Sequence, residues 1–196
     1  MDCKKAADFV KKEWNENVIP SLMDFVRIPN VSPSFDAEWD TNGLQLQAFE
    51  LVTKWAKAQN LENCKIELFK DDDRTPLLLM EIEAHQSEQA CMLYAHIDKQ
   101  PPMGVWIEGS GPYEPNVRDG KLYGRGAVDD GYGFYCAITS IKALQAQSSD
   151  ELASLRQQLA EAQAAPIHHE APLTPPPRFL DSAPRCRTGP TGLEVL

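Results

Sequence analysis

Two short stretches of the chain carry residue types that can do chemistry. The first is Tyr94-Ala95-His96-Ile97-Asp98. On a strand, residues two apart share a face, so His96 and Asp98 would project together. A metal-binding imidazole needs its ring held by an acceptor, and an aspartate two residues on can supply one or orient a catalytic base. The plainer alternative is a core histidine bonded to a turn aspartate. The second stretch runs from Asp119 through Gly124, Gly126 and the pair Asp129-Asp130 to Gly131. Adjacent carboxylates repel, and a buried pair requires a cation, hydrogen-bond donors or a proton. A helix N-terminus stabilises anions modestly, and a divalent metal does so far better. Here the plainer alternative is helix capping without a metal.

Elements must place these residues. Residues 2–29 read as an amphipathic helix with a break, because Phe9, Val10, Trp14 and Val18 recur near helical spacing and Pro20 suits a first turn. Residues 43–59 give a second helix through Leu44, Leu46, Phe49, Val52, Trp55 and Ala56. Lys65 to Phe69 alternates as a half-buried strand does, and Leu77 to Ile82 is the next strand. Asp71-Asp72-Asp73 between them reads as a solvated turn, since it lacks the ligand spacing and glycine of a calcium loop. Ala90 to Ile97 is a nearly continuous apolar run, as expected of a central strand covered on both faces. Asp119-Gly120 marks a turn, Leu122-Tyr123 a short strand, and a helix follows from about Gly133 to Gln145. The expected class is α/β, a sheet flanked by helices.

The composition shifts after Ser148. No lysine follows Lys142, and residues 149–196 hold one aromatic residue, Phe179, and seven of the fifteen prolines. The expected organisation is a catalytic-type unit over 1–148, a short helical segment over 149–165 with Leu152, Leu155 and Leu159 on one stripe, and a proline-rich disordered tail over 166–196. His168-His169-Glu170 lies in that tail and reads as solvated rather than as a zinc site.

With 29 acidic and 19 basic residues the net charge is −10, which disfavours a broad phosphate-binding surface and hence nucleic acid. No stretch is long and apolar enough to span a membrane. The five cysteines are scattered and form no CxxC pair, which excludes a zinc knuckle and a disulfide framework. A reducing, cytoplasmic location is the expectation, and the sequon Asn30-Val31-Ser32 reads as chance.

Taken together, the two stretches resemble the M20 metallopeptidases, a family of dipeptidases, aminoacylases and acetylornithine deacetylases. The resemblance rests on His96-x-Asp98, then Trp106 and Pro112-Tyr113, then Asp119-Gly-Lys-Leu-Tyr-Gly-Arg-Gly126 and the pair Asp129-Asp130 leading a helix. Phe25 to Ser32 also looks like the end of the family's N-terminal helix, so the resemblance covers about residues 8–147. It implies a partial zinc-peptidase-like sheet. It implies that His96 is a ligand of one zinc, that Asp129 bridges two zincs and is joined to Asp130 by a cis peptide, and that Asp98 supports His96 and tunes the general base. A small peptide or N-acyl amino acid would be the substrate, its amide attacked by a metal-activated water.

The chain also departs from that pattern. Ala95 stands where glycine is usual, and Gly131-Tyr132 stands for Lys-Gly. No Glu-Glu dipeptide occurs anywhere, although the family takes its base and a further ligand from one. The expectation is therefore a truncated, inactive hydrolase with at most weak zinc binding. A non-catalytic interaction protein using the 149–165 helix and the tail is one alternative. A different two-metal hydrolase, such as a phosphoesterase, is the other.

Overall fold

The computed structural model describes residues 2–71, 74–83 and 89–164, with side chains as far as Ala160. Helix α1 is Cys3–Glu13, capped by Asp2, whose carboxylate accepts from the backbone N–H of Lys4 and Lys5. One π turn, Trp14–Val18, separates it from α2, Ile19–Val26. Pro20 in the first turn of α2 has no N–H to donate, and the turn before it widens. The break expected near Pro20 is this π turn. Helix α3 is Leu44–Ala58, within a residue of the expected span at each end. Gly43 precedes it in the left-handed region at φ 74°, and Asn42 Oδ1 accepts from Leu44 N.

The strands β1, Cys64–Asp71, and β2, Arg74–Ile82, form an antiparallel hairpin in which Ile66 faces Met80 and Leu68 faces Leu78. Ile66, Leu78 and Met80 pack on the core, while Leu77 and Leu79 on the other face are exposed. A second small hairpin joins β3, Asn116–Arg118, to β4, Lys121–Tyr123, through Asp119 and Gly120, both at positive φ. Helix α4 is Gly131–Ala164. The core is built from Val18, Leu22 and Phe25 of the first helical stretch, Ala48, Val52 and Ala56 of α3, and Phe134, Tyr135 and Ile138 of α4, joined by Ile97. Trp55 meets the Tyr135 ring edge-on at 4.5 Å between centroids.

Three expectations need correction. The single sheet is replaced, among the described residues, by two separate two-stranded sheets. The central strand expected over 90–97 is extended chain without a ladder, and Met92 and Tyr94 are 89% and 80% exposed. An apolar run states what a strand would bury, but a ladder needs neighbours, and the one bridge in this region is Val31 to Lys99. The separate helix expected over 149–165 is the continuation of α4. Starting a new helix is costly, whereas extending one through Ser148, Ser149 and Asp150 costs only their modest helix propensities. Asp72, Asp73, the proline-rich tail and His168-His169-Glu170 lie outside the described residues. No described helix is long and apolar enough to cross a membrane.

Candidate functional site

His96 and Asp98 sit on the extended segment that leads to Lys99, and Asp129 and Asp130 sit at the start of α4. The fold brings the two together. His96 Nε2 lies 3.2 Å from Asp129 Oδ1. His96 Nδ1 lies 3.1 Å from Asp98 Oδ1 and 3.2 Å from the Asp98 carbonyl. The backbone N–H of His96 donates to Asp130 Oδ2 at 3.3 Å. The Asp129–Asp130 peptide is cis.

With two oxygen acceptors beside it, Nδ1 is the natural seat of the ring proton, which leaves the Nε2 lone pair facing a carboxylate. That juxtaposition is stable when positive charge is shared between the two atoms, as a second ring proton or as a cation. Two ligands of one tetrahedral zinc lie roughly 3.3 Å apart at bonds of about 2.0–2.2 Å. The observed spacing therefore suits a pair of zinc ligands. The number does not: among the described residues no group of three or more His, Cys, Asp or Glu side chains converges as a metal site. The residues supply two corners of a centre and do not close it.

The loop into Asp129 is shaped by glycine. Gly126 has φ 83°, and a Cβ there would lie 2.7 Å from Lys99 Cε and 3.0 Å from Phe25 Cε1. Gly133 leaves room for the Asp130 carboxylate, which a Cβ would approach to 2.6 Å. Arg125 N donates to Pro112 O at 2.7 Å, and its guanidinium lies 5.8 Å from the Trp106 ring centre. Trp106 and Pro112 thus belong to the wall of the same loop.

Sequence reasoning missed the support beneath the site. Lys99 is fully buried, and its ammonium donates to Phe25 O at 2.8 Å, Ile28 O at 2.6 Å and Asn30 Oδ1 at 2.5 Å. It also lies 3.7 Å from the centre of the Phe25 ring. Burial pushes its pKa down to about 7. Buried Asn30 donates to Ile97 O at 2.9 Å and to Gln45 Oε1 at 3.3 Å, and Gln45 donates to Val31 O at 2.6 Å. The only sequence signal was a lysine directly after an apolar run ending in His-x-Asp, and lysine is ordinarily exposed.

Residues 92–156 match the family model for Peptidase family M20/M25/M40. Over those residues the chain is similar to that family. Among curated M20-type relatives, an uncharacterized metallohydrolase of Methanocaldococcus jannaschii is 26% identical over 66% of this chain and 32% of its own length. A succinyl-diaminopimelate desuccinylase of a Wolbachia from Brugia malayi is 36% identical over 43% of this chain and 21% of its own. A Beta-Ala-His dipeptidase of Mus musculus is 35% identical over 36% and 15%. The crystal structure of human carnosine dipeptidase 1 superposes with a TM-score of 0.55 at 21% identity, covering 72% of this chain and 31% of that one. That likeness is one of fold. The chain spans about a third or less of the length of these M20 relatives.

Proposed function

We propose that this chain carries one wall of a metal-dependent amide-bond hydrolase. In this reading His96 and Asp129 are ligands of one cation, and Asp98 orients His96. The observation that supports it is the pair of contacts made by a single imidazole: Nε2 at 3.2 Å from Asp129 and Nδ1 at 3.1 Å from Asp98. Zinc is the metal by family. Small peptides or N-acyl amino acids are the substrate class, in keeping with the names of the mouse dipeptidase and the Wolbachia desuccinylase. The compartment is reducing and cytoplasmic.

This chain by itself binds zinc weakly and does not turn substrate over. The two protein ligands that meet among the described residues are fewer than the three or four that zinc takes. No Glu-Glu pair is present to give the base and a further ligand. The test is to titrate zinc into the purified chain calorimetrically and to assay β-Ala-His and N-succinyl-diaminopimelate hydrolysis with zinc present. Weak binding that vanishes in His96→Ala, without turnover, is the expected result. Zinc-dependent hydrolysis abolished by His96→Ala would overturn the inactive part. Zinc binding equal in parent and variant would overturn the assignment of His96.

A further inference from the structure

We propose that Lys99 is the positioning residue that holds the two halves of the site in register, a role resting on the reading of His96, Asp98 and Asp129 as one site. Lys99 is joined to all the parts that must be aligned. Its backbone is paired on both sides to the loop after α2: Lys99 N donates to Asn30 O at 3.0 Å, and Ser32 N donates to Lys99 O at 2.8 Å. Its ammonium is locked by Phe25 O, Ile28 O and Asn30 Oδ1. While the amine is protonated, its three donors match these three acceptors, so the head has one place to be.

The stem supplies the second constraint. Lys99 Cε and Cγ lie against Gly126, where an added methyl would approach them to 2.7 and 3.1 Å. Gly126 is on the loop that delivers Asp129, and Phe25 packs on both Gly126 and Gly131. The side chain of Lys99 is therefore a spacer between the end of α2 and the Asp129 loop, while its main chain carries Asp98 directly. Asp98 in turn faces His96 Nδ1. Shift Lys99, and the imidazole loses its fixed approach to Asp129. A lysine kept only for stability could be replaced by an apolar residue of similar volume, because burying a charge is costly. This one is placed where backbone and ammonium hold the end of α2 and the loop after it, while the stem meets the loop that delivers Asp129.

The test reads His96 itself, on the full chain without metal or substrate. Nitrogen NMR of the histidine rings reports which ring nitrogen carries the proton, and the other three histidines serve as internal controls. In the parent chain the His96 signals are expected to be those of a ring fixed with Nδ1 protonated. Lys99→Met keeps the volume and removes the three bonds. It is expected to shift the His96 ring signals toward those of a free, tautomer-averaged imidazole while leaving the other three unchanged. Should Lys99→Met fail to fold, Gly126→Ala serves instead, since its methyl presses on the lysine stem and on the Phe25 ring and removes none of the ammonium's acceptor atoms. The same His96 shift is expected from it. A folded variant whose His96 signals match the parent overturns the proposal. Because no metal enters the experiment, a chain that never binds zinc can still pass or fail it.

Discussion

His96 Nε2 and Asp129 Oδ1 stand 3.2 Å apart, although one residue lies on an extended segment and the other at the mouth of a helix. Two such donors bind a cation weakly, and binding to the folded state alone raises its stability. Zinc in excess is therefore expected to raise the melting temperature slightly, by about 1–3 °C. His96→Ala and Asp129→Asn should each remove that rise. Differential scanning fluorimetry with and without zinc checks it, and the parent–variant difference separates this site from His168-His169-Glu170.

Lys99 makes a pH prediction with a definite sign. Burial lowers its pKa from 10.5 to about 7 in the folded protein. Between those two values the unfolded chain holds a proton that the folded chain has released. Stability therefore rises with pH across that window. Near its top, Tyr135 opposes the trend, because burial raises its hydroxyl pKa and its contribution fades as the unfolded tyrosine ionises. Urea unfolding from pH 7 to 9 should show the rise in the parent and a flatter profile in Lys99→Met. That variant should also lose on the order of 1–3 kcal/mol, because buried carbonyls are left without a donor.

Gly126→Ala should destabilise the chain by about 1–3 kcal/mol, through positive-φ strain and the methyl's approach to Lys99 and Phe25. The urea midpoint measures it. Gly104→Ala is the control, since its φ is 81° but nothing lies within 4 Å of the added methyl. It should cost less, and equal losses would mean that strain alone, not the packing against Lys99, sets the effect.

Glu13 ties the first helix to α4 through Lys142, at 2.7 Å. Burial by itself would raise the Glu13 pKa, but bonds from Lys142 and Asn17 and the nearby positive charge hold it below 4.5. Its contribution is thus complete above the ordinary glutamate value and is lost as pH falls through the lower folded one. Glu13→Gln should be less stable than the parent at neutral pH. It should also lose less on acidification below about pH 4.5. Thermal melts from pH 7 to 3 check both.

Much of the local structure was legible in the sequence because local chemistry dictates it. Pro20 marks the break after α1, the apolar spacing from Leu44 to Ala56 marks α3, and Asp119-Gly120 marks the β3–β4 turn. The meeting of His96 with Asp98 and Asp129 was implied by the family resemblance, not by local chemistry. Its energetic base was not. Its place after an apolar run hints at Lys99 but does not reveal its burial, since its three acceptors come from residues 69 to 74 positions away. The 90–97 run misled for the opposite reason: its apolarity is local, while its exposure depends on which partners the chain provides.

The segment bearing His96 is held at Ile97 by Asn30 and at His96 by Asp130. Beyond Ile97, which Asn30 holds, the path from Cys91 to Ala95 has no strand ladder among the described residues. Regions with few buried contacts and no ladder open at little cost. A ligand that needs His96 in place binds only molecules in which it is in place, so any opening of that path would lower its apparent affinity by the fraction opened. Met92, Leu93 and Tyr94 are exposed along that path, so the readiness of a single imidazole is set by the few contacts at its own end.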